Sequence, residues 1–410
     1  MSAKKNILLI SWTFPPNSGI GGRRWAKYCK ALSLNGHSIQ VIKSKTELND
    51  KNSVWSKDID LKKINIIDLE VNWAVKWLHD YSSKFKVFKI RLAKLYLSII
   101  EKGTIFDKAI GVKNQLINKA VRIIEESKID IVIVTGAPFN LIYYTAFLKE
   151  KFKNVKFIAD YRDPWINSVN YGMLQLNEKR RNEEKKKQDF VFDNFDVITA
   201  PNEFLIDEIK TFLKVNRQLK FVSLEHFYDM DDVVNVVDKS SRDNLIKIIY
   251  AGALYSDTDK YLSLLAKSIR YININSTLKI KLDIFTDHRT KVFNLNGVED
   301  NVTIQNNIGD KVFNHLHEYD FILILLSDHN MHFKTTKFYD FLPYKIPYLY
   351  VGPIGFVARS IKEEGLGEIL EAEEDLLRIC KDGNPTYYGF NEIEKFSLSS
   401  RAKQLQELFI

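Results

Sequence analysis

Residues 7–25 form an apolar strand pattern that breaks into a Pro-Pro turn, a glycine-rich loop and a helix opened by two arginines. The glycines let the backbone turn tightly and approach a ligand closely. The helix would point its unpaired amides and positive end at that loop, and the arginines add charges suited to a diphosphate. These residues are Gly19, Gly21, Gly22, Arg23 and Arg24. The pattern predicts a phosphate-binding strand–helix unit, with a plain strand–helix connection as the alternative.

Short apolar runs alternate with helical stretches along the rest of the chain. Runs such as IDIVIVTG are apolar on both faces, which is typical of parallel strands covered by helices. The predicted strands are 6–12, 38–42, 129–135, 155–160, 197–200, 246–251, 278–285, 302–305, 321–326 and 348–351. The predicted helices include 23–35, 260–271, 312–317, 337–342 and 355–364. The pattern indicates an α/β chain with two doubly wound domains.

The domain boundaries follow from length and from one polar stretch. A chain of 410 residues exceeds what one core usually serves, and residues 225–244 are polar, acidic and weakly periodic. We expect a first domain over 1–225, a linker over 226–245 and a second domain over 246–395. A final helix over 396–410 could return to the first domain. Two such domains would place a ligand cleft where the carboxyl ends of their strands face each other.

The net charge indicates which classes of partner fit the protein, and the cysteines indicate its redox compartment. The net charge of +8 indicates an anionic partner, and nucleic acid, a nucleotide-activated substrate and a membrane surface all fit. Cys29 and Cys380 match no metal-binding spacing, which favours free thiols in a reducing compartment. No apolar run reaches the length of a membrane span, so we expect a cytoplasmic protein that is soluble or peripheral.

Four segments carry a resemblance to a known family. They read FPP…GG…RRW over 14–25, ADYRDPW over 159–165, YAGALY over 250–255 and TKFYDFLPYKIP over 336–347. In these segments the chain resembles GT-B glycosyltransferases of the large retaining family four. The resemblance implies two Rossmann-like domains facing a cleft, the first binding the acceptor and the second the nucleotide sugar.

The resemblance also shows departures. Relatives usually carry two glutamates eight positions apart around the donor helix, where this chain has His332 and Asp340. Many relatives place an arginine after the glycine of the second domain's first strand, where this chain has Ala253, so that only Lys260 could serve as the nearby lysine. A histidine common in the first domain of relatives is absent from 135–140. More of the phosphate binding would then fall on Arg23, Arg24 and Lys337.

The resemblance assigns a site residue by residue. The donor diphosphate would be bound by Gly21, Gly22, Arg23, Arg24, Lys260, Thr336 and Lys337. The sugar and nucleotide would be bound by His332, Asp340, Gly252 and Thr286. The residues expected near the reacting atoms are Asp160, Arg162 and Asp163. A strand-end carboxylate in a parallel sheet faces the ligand crevice. A salt-bridged strand terminus without a functional role would show the same sequence pattern and is the alternative.

The chemistry calls for positive charge at the leaving diphosphate, which arginines, glycine amides and helix N-termini supply without a metal or a cofactor. Three Asp-x-Asp triplets occur at 58–60, 229–231 and 257–259. The last could hold magnesium, but capping of the helix before Lys260 is the favoured interpretation. The crowded histidines at 315, 317, 329 and 332 do not have the arrangement of a zinc site.

Two basic segments remain. Residues 73–97 interleave tryptophans and lysines, which suits anionic lipid headgroups, with a core-covering amphipathic helix as the alternative. The charged run 179–187 is expected to be a solvated helix face. No recognition module for nucleic acid appears.

Together these features predict a retaining glycosyltransferase, peripheral at the inner membrane face. It would move a sugar from a nucleotide-sugar donor to a surface glycan, such as lipopolysaccharide or capsule, on a lipid-linked acceptor. A catalytically weak nucleotide-sugar-binding partner subunit and a nucleotide-sugar epimerase are the alternatives.

Overall fold

The computed structural model divides the chain into two units. One consists of Met1–Glu225 with Arg401–Ile410, and the other of His226–Ser400. The residues described are 3–17, 20–45, 54–59, 64–79, 85–168, 171–214, 219–234, 244–254, 256–287, 297–382 and 388–410. No helix in these ranges combines the length and apolar character needed to cross a bilayer.

The first unit is built on a seven-stranded parallel sheet with the order β3-β2-β1-β4-β5-β6-β7. Its central strands β1 and β4 are buried almost throughout, because helices cover both faces. The strands are β1 (Asn6–Ser11), β2 (Ser38–Ser44), β3 (Ile64–Leu69), β4 (Ile131–Gly136), β5 (Lys156–Tyr161), β6 (Val197–Ala200) and β7 (Lys220–Ser223). The helices are α1 (Ile20–Leu34), α2 (Trp73–Leu78), α3 (Lys86–Ile100), α4 (Lys113–Glu126), α5 (Phe139–Ala146), α6 (Glu178–Asn194) and α7 (Glu203–Lys210).

The second unit repeats the plan on a six-stranded parallel sheet with the order β10-β9-β8-β11-β12-β13. The strands are β8 (Leu245–Ala251), β9 (Lys279–Phe285), β10 (Val302–Gln305), β11 (Phe321–Leu325), β12 (Tyr348–Val351) and β13 (Gly367–Ile369). The helices are α8 (Asp259–Asn275), α9 (Thr336–Asp340), α10 (Phe356–Glu363) and α11 (Asp375–Asp382), with a 3-10 helix over Gly309–Glu318. The last helix, α12 (Leu398–Gln406), runs from this unit into the C-terminal segment of the first.

Alternate residues of each central strand in the second unit enter opposite cores. Ile249 of β8 packs in one apolar cluster, whereas its neighbours Ile248 and Tyr250 pack in the other. This alternation shows that both faces of the sheet are covered, as a doubly wound fold requires.

The strand order reverses direction between β1 and β4 in the first sheet and between β8 and β11 in the second. In open α/β sheets, ligands bind beyond the carboxyl ends of the strands at such a switch point. The reversal therefore identifies, within each unit, the loops where a ligand site is expected.

The predicted fold class of two doubly wound α/β domains is confirmed. All ten predicted strands exist to within two residues, but β3, β7 and β13 were missed. Each of these three lies at the edge of its sheet and is only partly buried, so none shows a continuous apolar run.

Candidate functional site

The switch point of the second unit holds a half-buried lysine. Lys337 lies in the first turn of α9, and its side chain reaches back to the loop after β8, where its Nζ lies against the Cα of Gly252. A Cβ atom at position 252 would overlap that Nζ, so the absence of a side chain makes this approach possible. The ammonium group also lies 5.1 Å from the centre of the Tyr250 ring.

No carboxylate in the described ranges pairs with Lys337. Burial alone lowers the pKa of its ammonium group from 10.5 to about 8. A positive charge held in this way near strand ends is stabilised by a bound anion. This group is therefore the strongest candidate for contact with a phosphate.

A second lysine, which is buried, has the opposite surroundings. Lys187 on α6 forms ion pairs with Glu101 at 2.5 Å and with Glu184 at 3.0 Å. Burial lowers the pKa of Lys187, but the two carboxylates more than offset this, so its pKa lies above the ordinary value. Glu184 also accepts hydrogen bonds from the Trp165 indole and the Thr104 amide. The positive charge of Lys187 is thus balanced by carboxylates inside the protein.

The Lys187 cluster corrects in part the expectation that 179–187 is a solvated face, because Lys179, Lys185 and Lys186 are exposed but two other residues of the run are not. Glu184 and Lys187 are buried, because they lie on the side of α6 that packs against α5. The partner Glu101 is distant in sequence, so no local pattern could have revealed the pairing.

The other residues predicted in the second unit differ in their accessibility. Asp340 is half-buried, and its charge adds to burial in holding the pKa of Tyr348 well above the ordinary value. His332 is half-buried, and its pKa is lowered by burial and by Arg359. Thr286, directly after β9, is buried. Thr336 is half-buried at the start of α9.

Lys260 lies at the surface and is already paired. Its Nζ is 2.6 Å from Asp328, which also accepts a 2.5 Å hydrogen bond from the Tyr261 hydroxyl. Phosphate binding by Lys260 would compete with this ion pair. Helix α8 begins at Asp259, which is the helix start that the capping interpretation of 257–259 requires. The Thr258 side chain, however, makes no capping hydrogen bond.

In the first unit, the glycines of the predicted loop belong to a helix. Helix α1 begins at Ile20, so Gly21 and Gly22 occupy its first turn rather than a loop before Arg23, and Gly19 lies outside the described residues. A Cβ at Gly22 would overlap the Thr13 carbonyl. The glycines therefore permit close packing at the helix start, where amide groups have no intrahelical partner.

Arg162 lies against this helix start. Its Nη1 occupies the space that a Cβ of Gly21 would need. Its Nε and Nη2 donate to the carbonyls of Gly136 at 3.2 Å and Ala137 at 2.5 Å. Within the described part of the chain no carboxylate forms an ion pair with it. A guanidinium beside the positive end of a helix makes a second candidate anion site.

Asp160 lies at the centre of a buried hydrogen-bond network. It accepts hydrogen bonds from Trp25 at 2.8 Å, from Thr199 at 2.9 Å and from Thr135 at 3.0 Å, and pairs with Arg24 at 3.4 Å. Its complete burial leaves no surface for a substrate. We therefore interpret Asp160 as a positioning residue that ties α1 to the sheet.

Arg24 is also buried and donates a 2.7 Å hydrogen bond to the Leu224 carbonyl. This placement favours a structural role over phosphate contact, whereas Arg23 is half-buried at the helix start.

Asp163 is half-buried. Burial raises its pKa, although Arg162 and a hydrogen bond from Tyr171 act in the opposite direction.

A cavity of about 740 Å³ opens on the helical face of the first unit. It lies between the end of α3 and helices α4, α5 and α6. Aromatic rings and charged groups share its lining, including Lys113, Tyr143, Phe147 and Phe190. The Lys113 ammonium lies 3.3 Å from the centre of the Phe147 ring. Sequence periodicity gave no sign of this cavity, since its walls come from four separate segments.

No family model matches the chain, and no curated protein matches it in sequence. Solved structures match over nearly its whole length. A glycosyltransferase from Rickettsia africae ESF-5 covers 100% of this chain and 98% of its own, at 16% identity and a TM-score of 0.59. The trehalose-6-phosphate protein from E. coli bound with UDP-2-fluoro glucose covers 98% and 99%, at 10% identity and a TM-score of 0.62.

UDP-GlcNAc 2-epimerase from Methanocaldococcus jannaschii is also similar, over 98% of this chain and 99% of its own, at 11% identity and a TM-score of 0.52. At these identities the likeness establishes the fold alone. The chain has two doubly wound Rossmann-like units of the GT-B type, as the sequence predicted.

Proposed function

We propose that this protein is a retaining glycosyltransferase of the family-four type. It would transfer a sugar from a nucleotide-sugar donor to a surface-glycan acceptor carried on a lipid. The observation that carries the proposal is the half-buried Lys337, which lies against Gly252 at a switch point with no described carboxylate to balance its charge. The fold likeness to a glycosyltransferase and to a protein bound with a UDP sugar supports the same conclusion.

Lys337 would stabilise the leaving diphosphate. As the bond between the sugar carbon and the phosphate oxygen breaks, negative charge grows on that oxygen, and a fixed cation in a water-poor site stabilises it strongly. Gly252 permits the close approach, and Asp340 would accept hydrogen bonds from the ribose hydroxyls. Thr286 and His332 would border the nucleotide and the sugar. Because the protein supplies the positive charge, we propose that no metal or cofactor is needed.

The start of α1 would bind a phosphate group as well. Gly21 and Gly22 present amide groups without intrahelical partners, and Arg23 and Arg162 lie at the same helix end. We assign Asp163 to the neighbourhood of the acceptor, since it is a half-buried carboxylate after β5.

The reaction needs no nucleophile from the protein. The acceptor hydroxyl would form the new bond to the sugar carbon on the face that the diphosphate leaves. Its proton would pass to the departing phosphate oxygen. This route balances protons and charge with the groups already present, and it retains the configuration of the sugar.

A nucleotide-sugar epimerase is the second candidate, because a protein of that activity shares the fold. It would require carboxylates on both sides of the sugar to remove and return a proton. A catalytically weak partner subunit is the third, because Ala253 and His332 stand where the resembled family has arginine and glutamate.

One experiment separates the three functions. Thermal-shift titration with nucleoside diphosphates first identifies the base, because a ligand that binds only the folded protein raises its melting temperature. Incubation of the matching nucleotide sugar with a lipid-linked acceptor should then release free nucleoside diphosphate and yield a longer glycan. Epimerised nucleotide sugar without transfer would identify an epimerase, and binding without turnover would identify a partner subunit.

A further inference from the structure

Helix α3 carries a stripe of large apolar side chains on its outer side. Ala93 and Leu97 face inward, into a small cluster shared with α2. The opposite side chains are between 40% and 74% exposed and follow one another at helical spacing. The stripe consists of Phe88, Leu92, Leu95 and Ile99. A continuous exposed apolar surface of this kind marks an interaction site.

Two exposed aromatic residues lie just outside the helix in the sequence. Phe85 precedes it and Phe106 follows it, and both rings are at least half exposed. Trp73 and Trp77, which the sequence suggested as anchors, instead pack against each other at 4.8 Å, and Trp77 contributes to the inner cluster. The candidate surface is therefore α3 itself rather than the whole segment 73–97.

Basic residues border the stripe on both sides. Helix α3 contains four lysines and arginines and no acidic residue. By helical geometry, Arg91 and Lys94 lie along one side of the stripe. Lys89 lies on the other side, with its ammonium 5.6 Å from the centre of the Trp77 ring. The Lys94 ammonium lies 5.5 Å from the centre of the exposed Phe106 ring. An apolar centre with cationic edges is the arrangement of helices that lie in a membrane interface.

We propose that the outer face of α3 docks this protein on an anionic lipid bilayer. The apolar stripe would enter the boundary between headgroups and acyl chains, and the bordering cations would contact lipid phosphates. A second copy of this chain is a poorer occupant, because two such faces would bring together surfaces of the same charge.

The cavity described above begins where the stripe ends. Ile99 and Ile100 are exposed and line its mouth. Docking would therefore place the cavity beside the lipid headgroups, within reach of the polar head of a lipid-linked acceptor. This last step rests on the proposed function, whereas the docking itself does not.

Cosedimentation of the full chain with vesicles tests the proposal. One set contains phosphatidylglycerol in phosphatidylcholine, and the other contains phosphatidylcholine alone, both at moderate salt. We expect binding to the anionic set only. Arg91→Glu with Lys94→Glu should weaken binding at least about 30-fold, because each basic residue near an anionic surface contributes roughly a factor of five. Leu92→Ser with Leu95→Ser should weaken binding at both low and moderate salt.

A matched control reverses the same number of charges elsewhere. Lys179 and Lys185 are exposed on α6, so Lys179→Glu with Lys185→Glu should leave binding within about twofold of wild type. Wild-type protein that stays in solution, a control that binds as poorly as the α3 variant, or an α3 variant that binds normally would overturn the proposal. A dimer in light scattering that Leu92→Ser with Leu95→Ser dissociates would assign the face to a second copy.

Nucleoside diphosphate binding, followed by thermal shift on the same variants, separates this proposal from the enzymatic one. Loss of vesicle binding with intact nucleotide binding would support docking by α3. Absence of nucleotide binding in every protein, with vesicle binding retained, would refute the proposed function and leave the docking surface standing.

Discussion

The charge on Lys337 should make the folded protein less stable than it would be without that charge. Burial lowers the pKa of the ammonium group from 10.5 to about 8, and unfolding restores the ordinary value. A difference of about 2.5 pKa units corresponds to about 3.5 kcal/mol, since one unit is worth about 1.4 kcal/mol. Part of the side chain keeps contact with water, so we expect a penalty of about 1–3 kcal/mol at pH 7.

The sign of the pH dependence follows from the same values. Because the folded pKa is the lower one, the folded protein binds fewer protons than the unfolded chain between about pH 8 and pH 10.5. Stability should therefore rise with pH across this window, and the penalty should be fully present below pH 8. Nucleotide affinity should change in the opposite direction and fall as the pH rises above about 8, because the uncharged amine cannot balance a phosphate.

Lys337→Met removes the charge and keeps most of the side-chain volume. We expect the free energy of unfolding at pH 7 to increase by about 1–3 kcal/mol. The affinity for nucleoside diphosphate should drop roughly 10- to 100-fold, since a charge-assisted contact to phosphate is lost. Urea denaturation and thermal shift, each with and without nucleoside diphosphate, measure the two effects. Gly252→Ala should also weaken nucleotide binding, because its Cβ would displace the ammonium group.

Lys187→Met is the matched control. It removes a buried lysine of the same type, but it leaves Glu101 and Glu184 as buried charges without their partner. Stability should then fall by about 3–5 kcal/mol, with nucleotide affinity unchanged. If Lys337→Met lost stability as Lys187→Met does, or bound nucleoside diphosphate as tightly as wild type, the reasoning for Lys337 would be wrong.

Three further substitutions test the remaining assignments. Asp340→Ala should weaken nucleoside diphosphate binding by roughly 1–3 kcal/mol, measured by titration calorimetry, and an unchanged affinity would remove it from the nucleotide site. Arg162→Ala should slow sugar transfer by roughly 10- to 1000-fold, measured as the initial rate of nucleotide release, with normal turnover excluding the α1 site. Asp160→Ala should lower the free energy of unfolding by about 3–5 kcal/mol, because Arg24 stays buried without its carboxylate. Urea denaturation checks this, and an unchanged midpoint would contradict the positioning role.

The central strands were predictable because their residues are buried on both faces. The apolar runs of β1, β4 and β11 reflect that burial directly. The edge strands β3 and β7 were not predictable in the same way. They are only partly buried, so polar and apolar residues are mixed in their sequences.

The glycines and lysines show what a sequence pattern leaves open. Gly21 and Gly22 were predicted to form a loop, but they lie in the first turn of α1, where they permit close packing. Lys187 and Lys337 have the same side chain, Lys187 buried and Lys337 half-buried, and the distant segments around them decide their chemistry. Glu101 is 86 residues from Lys187 in the sequence, so the balance of charge that distinguishes the two lysines exists only in the folded chain.

Asp160 illustrates the same limit at a strand end. A carboxylate after a buried parallel strand suggests a ligand contact, because that edge of the sheet usually faces the crevice. Here the carboxylate instead accepts hydrogen bonds from Trp25, Thr135 and Thr199, so its hydrogen-bonding capacity is used within the protein. The next charged residue, Arg162, differs. Its guanidinium reaches the start of α1, and the described acceptors of its hydrogen bonds are carbonyl groups, with the charge of Asp163 also nearby. A charged group whose described hydrogen bonds go to no opposite charge is therefore a better guide to a ligand site here than position at a strand end.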